Sequence, residues 1–282
     1  MMKKWVSVLL SVLLFPVLSW SQAPAASHIW ERAAFGNIPG FQFISLNGTS
    51  SAITTTFEPF WPEATTYTVL TTAMSSPYCA SASTNDTSAG TGARTIRVKG
   101  ITSAFAAFSE NLSLNGQTSV SLTNTTAQFI NSVEVLTVGS GGSNAGIIRC
   151  GTGTNTSGVP AVVHAHIPIG YDLTASASYA VPANYSLICR NWTISARHTT
   201  ASHAADVVID TYTNNGPIKR KHLPAIQVSG TTGVVYPGMI TFPEKTIIVP
   251  QIQSAAGVGP VYLQSECLLI SNTWAATSQE VF

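Results

Sequence analysis

The residues of this chain best spaced for chemistry are two histidines, in the stretch Val162-Val163-His164-Ala165-His166-Ile167. On a β-strand, positions i and i+2 share a face, so both imidazoles would point one way. With His198 or His203 as a third ligand they could hold a metal ion. No acidic or cysteine residue stands beside them at metal-ligand spacing, and paired histidines on a half-exposed strand are more often surface or interface residues. His164 and His166 are the only metal candidates.

Other chemistries find less. Glycoside hydrolysis needs two carboxylates roughly 5–10 Å apart, and the chain carries only twelve Asp and Glu in all. Asp206 and Asp210, four apart on a strand, would sit roughly 13 Å from each other, too far for that pair. Glu58 and Glu63 flank Pro59-Phe60-Trp61-Pro62, an aromatic stretch that could stack on a sugar ring but whose more common use is core or interface packing. No Gly-x-Ser-x-Gly elbow is present. No catalytic residue and no cofactor is assigned.

The run SASTNDTSAGTGARTIRVKGI, residues 81–101, raises a phosphate cradle and then excludes it. A Walker loop ends in Gly-Lys-[Ser/Thr] and opens a helix, whereas Gly90-Thr91-Gly92-Ala93-Arg94 leads into the alternating strand Thr95-Ile96-Arg97-Val98-Lys99. Nor does a helix follow for a dinucleotide fingerprint. Asn85 and Asp86 read as turn formers that bond their own backbone, with the glycines supplying positive φ.

Period-2 alternation continues along the chain. Strands are expected around residues 112–114 and 119–122, joined by the hairpin dipeptide Asn115-Gly116, and at 132–138, 147–150 and 161–167. Others are expected at 176–181, 186–195, 206–212, 246–253 and 261–270. Helix is confined to one turn near residues 28–34. Short strands punctuated by Gly, Asn and Pro turns predict an all-β fold of two β-sandwich, jelly-roll-like units behind an N-terminal arm. The divisions are a signal-peptide-like segment (1–21), the arm and first strands (22–75), two sandwich units (76–170 and 171–270) and a C-terminal tail (271–282).

Lys3 and Lys4 precede an apolar run and then small polar residues, the layout of a secretory signal peptide; a retained anchor is the alternative. Only 9 % of residues are charged, which suits a surface covered by neighbours, and the net charge of +1 does not suit general nucleic-acid binding. The one basic run, Lys219-Arg220-Lys221-His222, reads as a solvated loop. Cys79, Cys150, Cys189 and Cys267 are too widely spaced for a structural zinc site. They permit two disulfides in any of three connectivities, or four buried thiols.

Several stretches together resemble a widespread family of tailed-bacteriophage virion structural proteins. They are Gly36-Asn37-Ile38-Pro39-Gly40, the block at residues 81–101, ENLSLNGQTSV (110–120), FINSVEVLTVGSGGSNAGII (129–148), YAVPANYSLI (179–188) and FPEKTIIV (242–249). Asn184 stands where that pattern has glycine. The resemblance spans residues 35–270 and implies a β-rich, capsid-associated particle component, of decoration type, without catalytic residues.

The function expected is therefore subunit assembly in a virion, as decoration, minor capsid or fibre or spike base. The competing class is an exported bacterial surface protein that binds glycans or mediates adhesion. Expected partners are other capsid or tail proteins in a symmetric homo-oligomer, with no specific nucleic acid, and a membrane only through a retained N-terminal segment. Ile29, Trp30 and Phe35 of the arm, with Phe60 and Trp61, are the interface candidates.

Overall fold

The computed structural model describes residues 28–34, 36, 38–50, 53–63, 67–213, 216–223, 226–254 and 260–273, with side chains except those of 28–29, 196–203 and 226–233. The segment 1–21, Phe35, residues 274–282 of the tail, and the side chains of Ile29, His198 and His203 lie outside the described set.

Among the described residues the chain is all-β but for one short helix and two helical residues, 272–273, after the last strand. It opens with that helix, α1 (His28–Ala34), then strand β1 (Phe41–Ser50) and the two-residue β2 (Glu58–Pro59). Seven strands follow: β3 (Tyr78–Ser81), β4 (Ala93–Thr102), β5 (Ala107–Ser113), β6 (Val120–Ser121), β7 (Ala127–Val138), β8 (Ile148–Thr156) and β9 (Val159–Ile167). They make two antiparallel sheets, ordered β6-β3-β8-β9 and β5-β4-β7. Alternation fixes which face is wet: Ile96 and Val98 of β4 are buried while Arg97 and Lys99 look out. The apolar faces meet, so that Ile96, Val98 and Val133 share one core with Ile148, Cys150 and Ile167 of the other sheet.

Asn115-Gly116 does not close a hairpin. β5 pairs with β4 and β6 pairs with β3, so this turn carries the chain from one sheet to the other. Leu112, Leu114 and Leu122 are all buried in the shared core, and burying both sides of the turn there outweighs direct pairing of its flanks.

Seven further strands complete the chain: β10 (Tyr179–Ala180), β11 (Tyr185–Thr213), β12 (Lys219–His222), β13 (Ile226–Tyr236), β14 (Ile240–Phe242), β15 (Thr246–Ser254) and β16 (Val261–Ser271). Two strands expected at 186–195 and 206–212 are one strand of 29 residues. The basic run is not a loop but β12, an exposed strand on β11. Nor do these residues form two separate sheets of jelly-roll type. They join β1 and β2 in a single nine-stranded sheet with the order β1-β16-β11-β15-β10 along its main path.

β11 organises that sheet. Its first half pairs with β16 on one side and with β14 and β13 on the other; its second half pairs with β15 and, on the opposite side, β12. A straight strand of this length would run roughly 95 Å. It curves instead, with register shifts at residues 190–193 and 198–203. Leu187, Trp192 and Ile194 of the first half therefore share one core with Val207 and Ile209 of the second.

β1 pairs with β16 over its whole length, from Phe41↔Ile270 to Ser50↔Val261. The large sheet is thus built from both ends of the described chain, and the seven-stranded unit is inserted between β2 and β10. Asn184, just before β11, has φ 67°, a left-handed conformation that asparagine tolerates better than most residues and that glycine adopts freely.

The arm does not reach away from the body where it is described. Ala33, Trp30 and Ile38 pack on Phe41, Leu268 and Ile270, on the outer face of the nine-stranded sheet. The Arg190 guanidinium lies 4.0 Å over the Trp30 ring and pairs with Glu266 at 3.2 Å. Trp30 is thereby committed to its own chain, because covering the apolar outer faces of β1 and β16 is the nearest way to bury it.

The cysteines form Cys79–Cys150 and Cys189–Cys267. Each pair sits at directly opposed positions on neighbouring antiparallel strands, β3 with β8 and β11 with β16. The sequence separations of 71 and 78 residues correspond to about 4 kcal/mol of loop-closure entropy for each. Replacing both cysteines of either pair by serine should lower the guanidinium midpoint accordingly, and peptide mapping without reductant should recover these two linked pairs and no others.

Candidate functional site

The small-residue block at 81–94 is organised by Asp86, which is fully buried. Its Oδ1 accepts the backbone N–H of Ala93 at 2.7 Å and of Ala145 at 2.8 Å. Its Oδ2 accepts the Gly146 N–H at 2.9 Å and the Ser81 hydroxyl at 2.5 Å. The Asp86 carbonyl takes the N–H of Gly116. Asp86 is therefore not a local turn former: its side chain ties together the start of β4, the end of β3 and the turn before β8. Charge-assisted bonds are the strong kind, and four of them, three from backbone N–H groups and one from the Ser81 hydroxyl, offset the burial of this carboxylate.

The glycines make this approach possible. A Cβ on Gly92 would lie 2.0 Å from Asp86 Oδ1, and one on Gly90 would lie 2.0 Å from the Asn85 carbonyl oxygen. The glycine-rich turn at 139–146 packs against the same backbone, with Gly139 and Gly141 donating to the carbonyls of Gly92 and Thr91. So the residues that look like a phosphate cradle enclose the protein's own carboxylate.

A second buried polar cluster joins the two β units. Glu63 accepts Arg149 Nε at 2.6 Å, and its Oε1 also bonds His166 Nδ1. Arg149 comes from β8, His166 from β9, and Glu63 from the segment that delivers Phe60 into the core of the large sheet. Burial pushes the Glu63 carboxyl up, but the hydrogen bonds from His166 and Arg149, and their charge, more than reverse this and hold it below the usual carboxylate range. The two units also meet where Ile101, Phe105 and Phe129 of the inserted unit pack on Ala180, Ile247 and Val249 of the large sheet. Asn131 adds two bonds to the Ala180 backbone, one donated and one accepted.

The two histidines proposed as metal ligands are both buried and differently engaged. His166 is held by Glu63; His164 Nε2 lies 3.3 Å from the Thr152 hydroxyl. Burial pushes His164 down to about 4, so its ring is neutral at neutral pH. Among the described residues no three His, Cys, Asp or Glu side chains converge as metal ligands. Phe60 is 1 % exposed and Trp61 6 %, the latter against Tyr67 at 4.9 Å, so both fill the chain's own interior rather than an interface. Asp210, also buried, receives a two-pronged bond from Arg220 at 2.7 Å for each prong.

Sequence reasoning missed Asp86 and Glu63 as organising residues. Asp86 is signalled by being the one carboxylate in a run of small residues. Nothing local marks Glu63, whose partners lie 86 and 103 positions away.

No family model and no curated protein matches this chain. Among solved structures it is similar to infectious bursal disease virus, Gt strain, at 12 % identity and a TM-score of 0.30, covering 83 % of this chain and 74 % of that one. The T=1 particles derived from the same virus match at 12 % identity and a TM-score of 0.28, over 83 % of this chain and 70 % of that one. These scores fall below those of a shared fold, and the architecture stands on the strands described above.

Asp86→Ala should cost about 3–5 kcal/mol, by leaving buried N–H groups unpaired; Gly92→Ala should also destabilise, and urea unfolding reads both. Glu63 contributes differently with pH. Its folded pKa is below its unfolded value of about 4.3, so its contribution is complete above that value and is lost as pH falls through the folded pKa. The melting-temperature gap between wild type and Glu63→Gln should hold from neutral pH down to about 5 and close in more acid solution.

Proposed function

We propose that this chain is a non-enzymatic structural protein of a virus particle, acting by subunit-to-subunit assembly. The resemblance of residues 35–270 to tailed-bacteriophage virion proteins points to a capsid-associated place: decoration, minor capsid, or fibre or spike base. In this reading the two β units serve as sandwich-like building blocks.

One observation carries the proposal. On the outer face of the nine-stranded sheet, Tyr262 and Val235 are 53 % and 56 % exposed, and both are neighbours of the outward pair Thr193 and Ser195 on β11. Exposed apolar side chains flanking β11 on one weakly charged face favour burial against another subunit, at little cost in charge desolvation. The carboxylates Asp86, Glu63 and Asp210 are meanwhile consumed in holding the fold.

A second reading, an exported bacterial surface protein, is favoured by the two disulfides, which suit an oxidising compartment. Analytical ultracentrifugation of the whole chain, with mass spectrometry of purified particles, separates the readings. Assembly predicts a symmetric oligomer, peptides of this chain in the particles, and dissociation on Tyr262→Lys with Val235→Lys. A monomer at every concentration, absent from particles, sinks it.

A further inference from the structure

A cleft of about 510 Å³ opens between the two β units, within the size range of small-molecule sites. One wall is residues 42–46 of β1, which ends the main path of the large sheet. Alternate N–H and C=O groups of such a strand point away from its neighbour β16 and remain available. The opposite wall is the outer face of β4, β5 and β7, with Lys99, Ser109, Ser132 and Glu134. Lys99 pairs with Ser109 and with Ser132 across the sheet, so these three side chains share that face. Tyr185 and Leu173 provide apolar surface between the walls.

Charge decides what the cleft can select. Lys99 Nζ lies 3.4 Å from Glu134 Oε1, which also accepts Arg97 Nη1 at 2.9 Å. Glu134 Oε2 takes no hydrogen bond among the described residues. The wall thus presents the Lys99 ammonium donor beside a carboxylate with a free acceptor oxygen; the carboxylate opposes a phosphate, and the Lys99 and Arg97 charges around it oppose a cation. A hydroxyl both donates and accepts, and two neighbouring hydroxyls match an adjacent acceptor and donor. Apolar patches beside such groups suit the C–H face of a sugar ring.

We propose that this cleft binds a neutral, polyhydroxylated ligand, a short saccharide, between the free edge of β1 and the Lys99–Glu134 pair. An added peptide strand would also use the edge of β1, but its specificity needs pockets for alternate side chains, and the facing wall offers fixed hydrogen-bonding groups instead. The site is independent of the assembly reading: a particle component and a surface protein would each display it.

The experiment is saturation-transfer NMR on the whole protein with neutral trisaccharides of glucose, galactose and N-acetylglucosamine. Inorganic phosphate and an alternating Thr–Val heptapeptide serve as competing probes. At least one trisaccharide should give transfer, about tenfold weaker in Lys99→Ala, as loss of a charged hydrogen bond implies. Transfer should vanish in Ser109→Trp, which fills the cleft from an exposed position, and near-UV circular dichroism should match wild type. If Ser109→Trp disturbs that spectrum, Lys99→Ala alone decides. The proposal is overturned if no trisaccharide gives transfer, if transfer survives the deciding variant unchanged, or if only phosphate or the heptapeptide binds.

Discussion

A single buried carboxylate sets the geometry of the inserted unit. Asp86 gathers donors from residues 81, 93, 145 and 146, which end β3, begin β4 and form the turn before β8. A negative charge removed from water must be matched by fixed donors, and here the backbone supplies most of them. That requirement dictates the composition around it. Side chains larger than hydrogen at 90, 92, 139 and 146 would collide with backbone or with the carboxylate itself. A stretch that looks like flexible, low-information loop is therefore among the most constrained parts of the chain.

The same economy governs the other acidic residues. Glu63 holds Arg149 and His166 where the inserted unit meets the large sheet, and Asp210 holds Arg220, whose guanidinium lies over Phe57. In a chain with so few charges, spending them on internal fastening leaves an exterior of hydroxyls, amides and scattered apolar groups. Such a surface discriminates little by charge and depends on shape and hydrogen bonding, which suits both packing against subunits and contact with uncharged ligands.

The long strand β11 makes the large sheet a single body. By pairing with β16 and β14 at one end and with β15 and β12 at the other, it forces both halves to turn toward one core. The disulfide Cys189–Cys267 then fixes the first half of β11 to β16, and α1 covers the back of β16 and β1. Insertion of a whole unit between β2 and β10 is tolerated because those two short strands both pair with β15, at neighbouring parts of one sheet.

Local pattern was enough to determine that the chain is built of strands, where most of them lie, which residues face inward, and that α1 is a single short helix. Alternation and turn residues act over a few positions, and the sequence displays them directly. The tertiary structure alone decided which strand neighbours which: that Asn115-Gly116 crosses between sheets, that residues 185–213 run as one strand, and that β1 lies along β16. It also chose one cysteine connectivity of three, gave Asp86 its distant donors, and turned Phe60 and Trp61 inward. Each of these is a contact between residues far apart in the chain. A strand's periodicity names the face it will bury, but its unpaired edge accepts any partner that core packing brings alongside.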